Sequence, residues 1–158
     1  MKDLADIVKT VDVPLPPDEA FRLFTEDLGA WWPMESHSLS AFDEELPKTV
    51  EVEPKEGGKV LEERQDGSRH PWGTITAWEP GHRFAMDWHV GRPAEEATKL
   101  DVRFIPHGNG TRVSLTHGGW TALGEQASGI HKGYFTGWDL VFGQCYFEHC
   151  AGETALAP

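Results

Sequence analysis

Hydrophobic and polar positions along the chain fall into two periods. Residues 9–13 alternate weakly after an apolar Ile7-Val8 and read as a first strand, which Pro14, Pro16 and Pro17 end while starting a helix. Over residues 19–32, Ala20, Phe21, Phe24, Leu28 and Trp31 or Trp32 recur at helical spacing, and Pro33 closes the segment. Residues 34–48 are polar, show no period and read as a long loop. Strand-like segments follow at 49–53, 59–64, 71–79, 83–90, 99–105 and 111–117, divided by turn signals such as Asp66-Gly67, Pro80-Gly81 and His107-Gly108-Asn109-Gly110. Short loops between successive strands imply antiparallel neighbours. The period then changes. Tyr134, Trp138, Val141, Phe142, Cys145 and Tyr146 repeat at three and four, the mark of a long helix with an aromatic face, and Gly152 ends the expected order.

This order predicts an α+β fold with a curved antiparallel sheet wrapped around the C-terminal helix. The 158 residues carry no repeat or linker, so they read as one domain with an ordered core over about 7–150. A chain of this length buries roughly 70% of its unfolded surface, enough for a core without disulfides or a structural metal.

Charge narrows the partners. With 26 acidic against 14 basic residues and a formal charge of -12, the chain lacks the basic surface that nucleic acid or anionic lipid requires. No apolar run approaches the roughly 18 residues of a membrane span. Met1 to Asp6 has no signal-peptide core. Cys145 and Cys150, five residues apart on one helix, point about 140° away from each other and cannot bridge. A cytoplasmic protein, monomeric or homodimeric, is the expectation.

In a half-buried strand alternate residues share a face. Phe84, Met86, Trp88 and Val90 therefore point inward together, as do Leu100, Val102 and Phe104, and Val113, Leu115 and His117. On the strand over 71–79, Trp72 and Thr74 share one face and Ile75 and Ala77 the other, and the pattern leaves open which is inward. One reading is a pocket walled by Trp72, Trp88, Phe104 and Trp138, with His117 and Thr74 as polar anchors and His37 capping the mouth from the loop. The alternative is that the aromatics simply fill a core. His117 is either a pocket base or a strand-end histidine bonded to backbone.

Other chemistry finds little support. The eight histidines include no His-x-x-x-His pair, and a metal site from His37, His89 and His117 would need assembly by the fold alone, so no metal or cofactor is expected. There is no Gly-x-Ser-x-Gly elbow. The adjacent carboxylates Glu44-Glu45, Glu62-Glu63 and Glu95-Glu96 read as solvated charge.

Particular words add a resemblance. Trp31-Trp32-Pro33 with His37-Ser38, Val52-Glu53-Pro54 before Gly57-Gly58, Trp72-Gly73, Trp78-Glu79-Pro80, Trp88-His89, Gly110-Thr111-Arg112-Val113, Gly133-Tyr134 and Gly137-Trp138 occur in the order found in one family. The chain resembles the family named after the activator of the heat-shock protein 90 ATPase, within the START-like (SRPBCC) superfamily of helix-grip folds. That resemblance implies an internal cavity between sheet and helix for a small hydrophobic or aromatic molecule, held by a carrier, sensor or sequestering protein. The residues it points to are Trp72, Thr74, Met86, Trp88, Val102, Phe104, Leu115, His117, Tyr134, Trp138, Phe142 and His37. An enzyme of cyclase, dehydratase or hydrolase type using pocket histidines is one alternative. A co-chaperone-like interaction module exposing Trp31, Trp32 and Trp120 is another.

Overall fold

The computed structural model describes residues 4–156. Seven strands, β1 (Ile7–Val13), β2 (Thr49–Val52), β3 (Lys59–Glu63), β4 (Arg69–Glu79), β5 (Arg83–Trp88), β6 (Thr98–His107) and β7 (Gly110–Gly118), form one sheet in the order β1-β7-β6-β5-β4-β3-β2. Every pairing is antiparallel. Strands β2 to β7 are a plain meander, as their short turns require, and β1 returns to pair with β7. Between β6 and β7, His107 pairs with Gly110 across two residues, and Gly108 supplies the positive φ of 58° that such a turn needs.

Helices α1 (Pro17–Thr25) and α2 (Leu28–Trp31) connect the two edges of the sheet. They replace the single helix expected over 19–32. The aromatic face of α1, with Phe21, Leu23 and Phe24, is buried against the sheet. Helix α3 (Ala127–Leu140) passes through a π-helical stretch, Val141–Tyr146, into α4 (Phe147–Leu156). The terminal helix therefore runs through Gly152 rather than ending there. The sequence explains the π stretch. Trp138, Phe142, Tyr146 and Cys150 are all buried and recur every fourth residue. Four α-helical residues overshoot a turn by about 40°, a drift that wider turns absorb. Cys145 is left half-buried at the side. No helix among the described residues is long and apolar enough to cross a membrane.

Strand β4 bends at two places. Its register with β3 slips between Val60 and Leu61, leaving Trp72 unpaired there, and its register with β5 slips between Ile75 and Ala77. These slips answer the question of which face is inward, because both readings hold on different stretches. Trp72 is buried before the bend, while Ile75 and Ala77 are buried after it. Thr74, expected as a pocket anchor, is corrected to the outer face, where its hydroxyl accepts a bond from Lys59 Nζ at 2.7 Å.

Gly73 sits inside this bend, paired with both Val60 and Trp88. A Cβ there would overlap the Asp87 carbonyl oxygen as well as the end of the Met86 side chain, and the backbone oxygen, unlike the methionine, cannot swing aside. Gly73→Ala is expected to cost about 2 kcal/mol or more, lowering the melting temperature in a thermal denaturation scan by roughly 4–8 °C.

Candidate functional site

The 34–48 loop is held in place by a buried carboxylate. Glu62 follows Val60 on the inward face of β3 and is fully buried. Its Oε1 accepts the Leu39 N–H at 2.8 Å and the Trp72 indole N–H at 2.9 Å. Its Oε2 accepts the Ser40 N–H at 2.8 Å and the Ser40 hydroxyl at 2.6 Å. Burial alone would push the carboxyl upward, yet the Ser40, Leu39 and Trp72 donors outweigh it and hold Glu62 below its usual range. The reading of Glu62 as solvated charge is therefore corrected. Its phase with Val60 was the available signal.

Pinned this way, the loop presents His37. The Trp32 indole donates to the His37 carbonyl at 2.6 Å, and His37 Nδ1 lies 2.7 Å from Ser36 Oγ. Nε2 faces α3, within 3.9 Å of where a Cβ on Gly137 would sit.

Between this loop and α3 lies a cleft of about 170 Å³. Trp32 and His37 form one wall, while Ile130, Gly133, Tyr134, Gly137, Trp138 and Val141 form the other. It adjoins a second space of about 290 Å³ that shares Trp32, His37, Ile130 and Tyr134 and reaches Phe42, Trp88, Val90 and Arg92. The concavity thus lies beside the helix rather than beneath it.

Beneath the helix the space is filled. Trp72, Met86, Val102, Phe104, Leu115 and Phe142 are all buried, with Trp72 5.0 Å from Trp32 and Phe142 stacked 5.7 Å from Tyr146. His117 is among them and fully buried. The Trp138 indole donates to its Nδ1 at 3.0 Å, which fixes the proton on Nε2. Nε2–H therefore donates to Thr98 Oγ1 at 2.7 Å, and Thr98 donates on to the Trp88 carbonyl at 3.2 Å. With both nitrogens engaged, His117 is a structural link. Burial, with a smaller contribution from His131, pushes it down to about 3.

Of the residues expected at a pocket, His37, Trp88, Tyr134 and Trp138 come together at the groove. Trp32, Ile130, Gly133, Gly137 and Val141 were missed. Gly133 and Gly137, four apart in a helix that glycine disfavours, were the visible clue. His89 is buried and bonds through Nδ1 to the Arg92 carbonyl at 3.0 Å. Trp31, Trp32 and Trp120 are also buried, so the exposed aromatic patch expected of an interaction module is not formed by them. Among the described residues, Asp27, His149 and Glu153 bring possible metal-ligand atoms within 4.8 Å of one another, and His149 already contacts Asp27 at 3.3 Å.

The family model described as Activator of Hsp90 ATPase homolog 1-like protein matches residues 14–144. The chain belongs to this family. Among solved structures, this Activator of Hsp90 ATPase homolog 1-like chain is 32% identical to Txn09, described as an anthrahydroquino-γ-pyrone synthase, with 84% of this chain and 88% of that one covered and a TM-score of 0.57. MLL2253 from Mesorhizobium loti is 16% identical, with 95% and 98% covered and a TM-score of 0.65. NE0264 from Nitrosomonas europaea is 20% identical, with 95% and 96% covered and a TM-score of 0.63. These two likenesses show the START-like helix-grip fold. A search of curated proteins finds no match.

Two predictions follow from the buried polar groups. An unfolded histidine titrates near about 6.5. Below that pH the unfolded chain takes up a proton that folded His117 refuses, so stability falls as pH drops toward 3, by up to about 1.4 kcal/mol per pH unit. Thermal midpoints are expected to be flat from pH 8 to 7 and to decline below about 6.5, with that decline reduced in His117→Gln. Glu62→Gln sets an amide NH2 against the loop's donors. It is expected to cost about 2–3 kcal/mol and to speed chymotryptic cleavage within 34–48.

Proposed function

We propose that the groove between the 34–48 loop and α3 binds a flat, hydrophobic aromatic molecule, which the protein carries, senses or sequesters. The observation that carries this reading is the composition of the helix wall. Gly133 and Gly137 leave the helix backbone open between Trp32, Tyr134 and Trp138, and a Cβ at Gly133 would meet nothing within 4 Å. Glycine in a helix interior costs up to about 1 kcal/mol relative to alanine, and no neighbour packs closely enough to require it here. What the two glycines provide is a smooth slot with aromatic sides. The two connected spaces together reach the lower end of the usual size for small-molecule sites, about 300–1,000 Å³.

A second reading is that the bound molecule is turned over. It is supported by the 32% identity to a protein described as an anthrahydroquino-γ-pyrone synthase. In both readings the ligand belongs to the same class.

Quenching of tryptophan fluorescence by 1-hydroxyanthraquinone tests the groove. The wild type is expected to give a saturable titration. Gly137→Leu fills the slot and should weaken binding at least tenfold while leaving stability unchanged or raising it by up to about 1 kcal/mol. Equal affinity in the two proteins would place the ligand elsewhere.

A further inference from the structure

The groove contains few polar groups, and most are already committed. The Trp32 and Trp138 indoles donate to the His37 carbonyl and to His117. Ser38 Oγ donates to the Met34 carbonyl at 2.7 Å. The charge of Arg92 is paired with Glu96 at 3.2 Å, and its Nη1 also donates to Gln126 at 3.0 Å. Two uncharged side-chain groups remain.

The first is the Tyr134 hydroxyl. The Trp88 indole N–H donates to its oxygen at 2.9 Å, and an indole nitrogen has no acceptor capacity to offer in return. The phenolic proton must therefore point elsewhere, and no described residue accepts it. Tyr134 lines the groove together with Trp88 and Arg92. Burial raises Tyr134, with the Trp88 bond and Arg92 opposing, so the hydroxyl keeps its proton through the neutral range.

The second is His37 Nε2. Ser36 Oγ can accept a hydrogen bond from Nδ1–H while its own hydroxyl donates to the Pro33 carbonyl at 3.4 Å, leaving Nε2 an open acceptor facing the groove. A largely apolar slot with one uncharged donor and one acceptor free selects for particular chemistry.

Resting on the groove as the binding site, we propose that its ligands are aromatic ketones. Tyr134 donates to the carbonyl oxygen, and His37 Nε2 takes a proton from the carbon beside that carbonyl. In this step the C–H bond breaks and an N–H bond forms at Nε2. The released pair becomes a C–C π bond while the carbonyl π pair moves to oxygen, giving an enolate held by the Tyr134 hydroxyl and an imidazolium at His37. Return of the proton to carbon or oxygen restores the histidine and consumes no other reactant. A donor aimed at the oxygen where charge develops is the arrangement that favours this step.

Deuterium uptake beside the carbonyl of 1-tetralone in D2O, followed by NMR, tests the proposal, with tetralin as the carbonyl-free partner in binding titrations. The wild type is expected to bind the ketone more tightly than the hydrocarbon and to accelerate exchange at least tenfold over buffer. Tyr134→Phe should abolish that preference and the exchange while still binding tetralin, which also reports that the variant is folded. His37→Gln should abolish exchange while keeping the preference for the ketone over the hydrocarbon. Equal binding of the two compounds with exchange at background, or wild-type exchange in either variant, would overturn the proposal and leave groove binding standing. Failure of either compound to bind would overturn the groove reading along with it.

Discussion

A tryptophan can be buried only where its indole N–H finds an acceptor, because the ring brings one donor and no acceptor into a medium that penalises an unpaired polar group. This chain buries six tryptophans, and each indole is paired. Trp31, Trp32 and Trp120 use the backbone carbonyls of Leu23, His37 and His117. Trp72, Trp88 and Trp138 require side chains, namely Glu62, Tyr134 and His117. Much of the polar interior serves those three bonds.

The same bonds shape the groove. Glu62 accepts from Trp72 and, with its remaining lone pairs, anchors Leu39 and Ser40, so the loop carrying His37 is tied to the sheet. His117 accepts from Trp138 and thereby fixes its own tautomer, which ties α3 through Thr98 to the end of β5. Tyr134 accepts from Trp88, which directs its proton away from the core. A packed aromatic interior and an open aromatic slot are therefore one construction, with the slot beginning where Gly133 and Gly137 withhold side chains.

The sheet and the terminal helix were legible because their signals are periodic. Alternation placed Phe84, Met86, Val102, Phe104, Val113 and Leu115 inward, and each is buried. Periodicity has less to say where the backbone departs from regularity. It left Trp72 against Ile75 undecided because β4 changes face at its register slips. It placed Thr74 at the pocket for the same reason. The four-residue spacing of Trp138, Phe142, Tyr146 and Cys150 was visible in the sequence, whereas the π-helical turns that accommodate it emerge only in three dimensions. Within the site, aromatic residues drew attention and absent side chains did not. His117 looked chemical from its phase, but which side chains occupy its two nitrogens is a matter of tertiary contact. Glu62 looked like surface charge because its adjacency to Glu63 outweighed its phase with Val60.

On the proposed reading, a flat aromatic ligand enters beside α3 rather than beneath it. The indole N–H signals of a ¹H–¹⁵N correlation spectrum, assigned by substitution, report on both places at once. On addition of 1-hydroxyanthraquinone, the signals of Trp32, Trp88 and Trp138 are predicted to shift in a saturable manner, while those of Trp31 and Trp120 stay fixed. An unchanged spectrum at high ligand concentration, or shifts confined to Trp31 and Trp120, would contradict the account.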